Sequence, residues 1–146
     1  MKNLFNQADK QEIINRINTL TPESKRQWGE MDVAQMLKHC TKPLEIALTN
    51  PKPARNFIGR LIGPMAKNAV FGPKPFKKGS YTPKEFKIVT QEDFEIQKKA
   101  LLELIYKFKA ENITDKVHPF FGKTNDKEWG EGQYKHLDHH LTQFGV

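Results

Sequence analysis

The sequence predicts an all-α fold, an antiparallel four-helix bundle with a long basic loop region between the helix pairs. Three observations lead there. Apolar residues recur at helical spacing along most of the chain, alternating strand-like patterning is almost absent, and 146 residues suit one compact core. A single domain over residues 1–146 is therefore expected. The chain is polar, with 37% hydrophobic and 28% charged residues, yet ten Phe, two Trp and three Tyr supply enough bulky apolar surface to exclude wholesale disorder.

The first helix covers residues 9–20, where Ile13, Ile14, Ile17 and Leu20 share a face and Asp9 is placed to cap the first turn. Thr21, Pro22 and Ser24 end it. A second amphipathic helix begins near Asp32 and carries Val33, Met36, Leu37, Cys40, Leu44, Ala47 and Leu48 on one side. Pro43 is expected to bend it, because the ring removes a backbone donor and crowds the preceding turn. Phe57, Ile58, Leu61, Ile62 and Met65 mark a weaker third helix, interrupted by Gly59, Gly63 and Pro64. Residues 70–86, VFGPKPFKKGSYTPKEF, mix Gly, Pro and Lys without periodicity and read as a surface excursion. Thr90 with Asp93 makes a capping-box pattern ahead of a strong helix that runs to about Ala110, with Phe94, Gln97, Leu101, Leu104, Ile105 and Phe108 along one face. The link after this helix carries an apolar knot of Pro119, Phe120 and Phe121. Asn125 with Glu128 then caps a last helix reaching about Phe144.

The net charge of +7 raises the question of an acidic partner. Its source is local: residues 51–90 hold nine basic residues (Lys52, Arg55, Arg60, Lys67, Lys74, Lys77, Lys78, Lys84 and Lys87) against Glu85 alone, and the rest of the chain is nearly neutral. Phe57, Phe71, Phe76, Tyr81 and Phe86 are interleaved with these charges, a pattern that can stack on bases. No helix-turn-helix or other nucleic-acid motif accompanies it, so a solvated lysine-rich loop is the favoured reading. Cys40, the one cysteine, cannot form an internal disulfide. No run approaches the roughly 18 apolar residues of a membrane span, and the start MKNLFNQADK has no apolar signal core. A reduced, cytoplasmic protein with no membrane partner is expected.

The histidines carry more information than the charge. Three of the five, His136, His139 and His140, fall within KHLDHHL in the last helix. On a helical wheel His136 and His140 lie about 40° apart, on the side of Trp129, Gln133, Leu137 and Phe144, while His139 points about 60° to the other side. The inward pair stacks one turn apart, the spacing by which two neutral imidazoles converge on one transition metal. His39, at the edge of the apolar face of the second helix, is the candidate third ligand, and three histidines would leave a coordination position for water or substrate. Against this stands chance: a histidine pair four residues apart also occurs on many solvated helices. Burying three imidazoles without partners is unfavourable, however, and a shared metal removes that cost.

The segments WGEMDVAQMLKHC and HLDHHLTQ together resemble the DinB/YfiT-like superfamily of metal-binding four-helix bundles. HPFFGKTNDKEWGEGQYKHLDHHLTQFGV is similar to the ending of a DinB-related family of unknown function. The resemblance covers about residues 26–48 and 117–146, with only the general layout in common across 51–90. It implies a divalent metal, zinc or nickel, on His39, His136 and His140. It further implies a small-molecule substrate, with low-molecular-weight thiols used by characterised relatives, and a homodimer.

Two functional readings are open. The first is a metal-dependent enzyme that activates water or a small thiol for hydrolysis or thiol transfer. The alternative is a basic nucleic-acid- or anion-binding helical module without catalysis; the same segment binding an anionic substrate near the metal is a third possibility. No general base stands out. Gln143 and Asp32 are candidates for orienting imidazoles, or else solvated helix residues. His118 is expected to play a structural role beside the Phe120–Phe121 anchor, with a hydrogen bond to a metal ligand or a substrate contact as its alternatives. Trp28 and Trp129 read as packing residues, and Cys40 as a buried small hydrophobe.

Overall fold

The computed structural model describes residues 1–50, 52, 54, 57–80 and 82–146; Arg55 and Tyr81 of the basic segment lie outside the described residues. The chain is mostly helical, with five α-helices and one two-stranded sheet among the described residues. The helices are α1 (Gln7–Thr19), α2 (Val33–Leu48), α3 (Phe57–Phe71), α4 (Phe94–Lys107) and α5 (Asp126–Gln143). No helix among the described residues is long and apolar enough to cross a membrane.

Local chemistry sets the helix ends. Asn6, not Asp9, caps α1, its side chain accepting from the amides of Ala8 and Asp9. Asp9 instead reaches back to the Asn3 amide at 2.8 Å and ties down the N-terminus. Asp32 and Gln35 form a reciprocal capping box at the start of α2. Pro43 sits inside α2 without ending it, and has no N–H to offer the carbonyl of His39 one turn earlier. Asp93 alone caps α4, accepting from the Ile96 amide, while the Thr90 hydroxyl turns to Glu92. α4 stops at Lys107, short of Ala110, which opens a separate 3₁₀ turn over Ala110–Asn112. Asn125 and Glu128 box the start of α5 as expected.

The core is shared by α1, α2, α4 and α5, with Ile13, Ile17, Leu37, Leu44, Leu101, Ile105, Trp129 and Leu137 all essentially buried. α2 packs most extensively on α4, and α5 lies against both α1 and α2. Arg16 fastens α1 to the end of α5, donating to Asp138 Oδ1 at 2.7 Å and to the Val146 carbonyl at 2.8 Å. The buried Lys10 ammonium, donating to the Phe108 carbonyl at 2.7 Å, closes α1 onto the end of α4.

Two features depart from the sequence reading. The HPFFG segment is a hairpin: β1 (Val117–His118) pairs antiparallel with β2 (Gly122–Lys123), with His118 opposite Gly122. Gly122 adopts φ 82°, a left-handed conformation that a side chain disfavours. α3 is also one continuous helix through Gly63 and Pro64, and its glycines face inward. Gly59 and Gly63 are its buried residues, whereas Phe57, Ile58, Leu61, Ile62 and Met65 are exposed. A Cβ at Gly63 would stand 2.0 Å from the Phe120 carbonyl oxygen, so the absent side chain is what lets α3 lie on the hairpin turn. Gly63→Ala is expected to lower stability by about 1–3 kcal/mol, the usual range for overpacking against backbone. Urea unfolding checks this, and an unchanged midpoint would contradict the close seating of α3.

Candidate metal centre

Three helical turns from two elements build the site. His39 lies on the second turn of α2, and His136 and His140 lie one turn apart on α5, whose contact with α2 brings the three together. Their ring centroids are 5.0 Å (His39 to His136), 4.6 Å (His39 to His140) and 4.7 Å (His136 to His140) apart. One ring nitrogen from each lies within 4.8 Å of the others. The tightest approach is 3.0 Å, between Nε2 of His39 and Nε2 of His136.

The remaining ring nitrogens determine which atoms are free. His39 Nδ1 lies 2.8 Å from the Phe86 carbonyl oxygen, which can only accept, so Nδ1 carries the proton and Nε2 keeps its lone pair. His140 Nδ1 lies 2.9 Å from Gln143 Oε1. The amide of Gln143 is oriented by its own Nε2, which donates to the Trp28 carbonyl at 2.7 Å, so Oε1 must accept from His140. His140 Nε2 is thereby left as a lone pair as well. His136 Nδ1 is buried with no hydrogen-bond partner among the described residues, and its Nε2 meets His39. This donor set fits a divalent transition metal: three imidazole nitrogens from two helices, two of them presented by fixed acceptors behind the ring. The three residues could hold a metal ion.

Burial keeps the rings neutral. His39 and His140 are 4% and 8% exposed, and His136 is half-buried. Burial lowers the His39 pKa against the opposing bond to Phe86. It brings His140 down to about 3, helped by the neighbouring His39 and opposed by Gln143. His136 falls well below its ordinary value, through burial first and then through His140 and His39. Neutral imidazole is the form that binds metal.

A family model described as "Protein of unknown function (DUF1569)" matches residues 2–145, which takes in α2, the hairpin and the histidine helix together. The chain belongs to this family. No curated protein and no solved structure matches it.

Around the three histidines of this DUF1569 chain, the other candidates fall into place. Gln143 orients an imidazole as expected. Asp32 does not: it is committed to capping α2, almost two turns before His39. Cys40 is buried at 1% exposure, with its thiol pKa pushed up by burial and Sγ against Met36 Sδ at 3.7 Å, so it behaves as a small hydrophobe. His118 Nδ1 accepts from the amides of Phe120 and Phe121 at 3.0 and 3.2 Å, holding the hairpin turn, and its ring lies 5.2 Å from Trp129. Trp129 is core, at 1% exposure. Trp28 is half-buried, with its ring 5.9 Å from that of His139, at the edge of the site. His139 is outside the three-histidine group.

The residues that sequence reasoning missed belong to the basic segment. Phe86, in a 3₁₀ turn over Lys84–Phe86, supplies the His39 acceptor through its backbone. The Phe76 ring stands edge-on to His136 at 6.5 Å and to His139 at 5.7 Å. Phe71 packs on Phe121 and Trp129. The interleaved phenylalanines at 71 and 76 thus turn toward the body of the protein, and Phe86 serves it through its main chain. Several lysines are also occupied: Lys52 is buried against Asp115, and Lys67 pairs with Glu128 at 2.8 Å.

The lowered histidine pKa values give a pH dependence with a definite sign. Unfolded, these histidines bind protons near their ordinary 6.5, while the folded state resists protonation. The unfolded state therefore binds more protons below that value, so metal-free protein loses stability as pH falls through about 6.5, by up to about 1.4 kcal/mol per pH unit for each excess proton. Thermal melts of metal-free protein between about pH 8 and about pH 5 check this. His140→Phe should flatten the fall in Tm, and an unchanged slope would contradict the assignment.

Proposed function

We propose that His39, His136 and His140 form a divalent metal site, zinc or nickel, in a metal-dependent enzyme that activates water or a small thiol for hydrolysis or thiol transfer. The observation that carries this reading is the gathering of one ring nitrogen from each histidine within 4.8 Å of the others, with His39 and His140 each held from behind by an oxygen that can only accept. The shared core of α1, α2, α4 and α5 supports assigning the chain to the DinB/YfiT-like bundles, as one antiparallel domain over residues 1–146.

When bound, a divalent ion held by three neutral ligands supplies the charge that lowers the pKa of a coordinated water or thiol. The protein's own residues prepare that position. The Phe86 carbonyl fixes the tautomer and plane of His39, and Gln143 does the same for His140, so neither ring must reorganise as a ligand arrives. Phe76 shields the rings on the side where His136 is partly open, which limits water there. A small-molecule substrate of thiol character would approach from this side.

Purification without a histidine tag, with metal analysis of the product, tests the site directly. Wild type loaded under metal-replete conditions should hold about one ion per chain, and His136→Ala should lose it. A wild type without stoichiometric metal overturns the reading. Gln143→Leu should retain the fold, as judged by circular dichroism, and bind zinc about 10–100-fold more weakly in a chelator competition. Equal affinity would show that the amide does not orient His140.

A further inference from the structure

We infer that the site takes a small organic anion, whose charged group is received by the Lys78 ammonium at the rim and whose body lies against Trp28 and Phe76. This rests on the metal reading above and names the substrate class for that same site.

Exposure is uneven among the histidines of the site and its edge. His39 and His140 are buried, while His136 and His139 keep partial exposure. On that side stand two half-buried aromatic rings, Phe76 beside His136 and His139, and Trp28 beside His139. Each carries a lysine over its ring: Lys78 Nζ is 4.4 Å from the Trp28 centroid, and Lys135 Nζ is 4.4 Å from the Phe76 centroid.

The two ammonium groups differ in what they have left to give. Lys135 donates to the carbonyls of Ala69 and Gly72 at 3.0 and 2.9 Å, and so is spent on closing the end of α3. Lys78, an exposed residue, makes no hydrogen bond and no ion pair among the described residues; its contact is the Trp28 ring. It therefore keeps three N–H donors for an incoming group. The nearby carboxylate of Asp138, adjacent to His139 in sequence, is committed to Arg16 at 2.7 Å. Three neutral histidines do nothing to offset the charge of a divalent ion, so the rim and the centre attract the same sign of ligand. Cation and aromatic ring at one place suit a molecule that is apolar in the middle and anionic at its far end.

The test uses two probes that share a thiol and a ring and differ only in charge: para-(mercaptomethyl)benzoate and the corresponding benzamide. Both are titrated into zinc-loaded protein by calorimetry, after metal content has been measured. The acid should bind wild type about tenfold more tightly than the amide, equivalent to about 1.4 kcal/mol. Lys78→Ala should abolish that preference while leaving metal content and amide affinity unchanged, and Lys78→Arg should preserve it. Equal affinities in wild type, or a preference that survives Lys78→Ala, overturn the inference with the metal reading intact. Protein that takes up no zinc overturns the metal reading, and this one with it.

Discussion

Two imidazole nitrogens 3.0 Å apart, one from α2 and one from α5, set the terms for everything around them. Two lone pairs cannot face each other at that distance in a dry interior; a proton or a cation has to lie between them. Because the Phe86 carbonyl already holds the His39 proton on Nδ1, a shared proton must come from His136, and that leaves His136 Nδ1 as a buried acceptor without a partner among the described residues. The metal-free arrangement is thus tolerable but costly. Leu37 and Leu44 of α2 and Leu137 and Leu141 of α5 are buried in the same core, so drawing the two helices apart to relax the rings would open that core. Stability and site are coupled here through the same pair of helices.

Features that obey the 3.6-residue period were mostly legible from the chain. The helical positions of His39, His136 and His140 could be placed because the apolar residues around them define an inward face, and the same reasoning set His139 aside. Gln143 was reachable as a neighbour one turn from His140. The features that escaped were non-periodic. The hairpin at His118–Gly122 depends on a left-handed glycine and on a ring nitrogen accepting two amides, neither of which leaves a pattern in the side chains. The orientation of α3 reversed expectation because the usual rule, large apolar residues inward, yields where a backbone must come within contact distance of another backbone.

The basic segment changes meaning once its partners are named. As a run of charge it suggested an acidic macromolecule; in the fold its lysines divide by task. Lys52 and Lys67 serve the architecture, the Lys52 ammonium donating to the Asp115 main-chain carbonyl and Lys67 pairing with Glu128, whereas Lys78 has no hydrogen bond or ion pair among the described residues and lies over Trp28. Its aromatic residues divide likewise, with Phe71 at the end of α3 packing on Phe121 and Trp129 and Phe76 standing edge-on to His136. Charge and aromatics that are contiguous in sequence therefore serve separate ends, and only three-dimensional neighbours distinguish them.

The bond from His39 to residue 86 has a consequence for how such a site varies over time. Its acceptor is a main-chain carbonyl, which every amino acid possesses, so replacing the Phe86 side chain leaves the acceptor chemistry intact. The bond does require a particular path of the chain: the 3₁₀ turn over Lys84–Phe86 must deliver that oxygen to α2. Substitution scans will pass over this contact, and comparisons between relatives will record it as tolerance of residue type at that position combined with intolerance of insertion or deletion in the stretch leading to it.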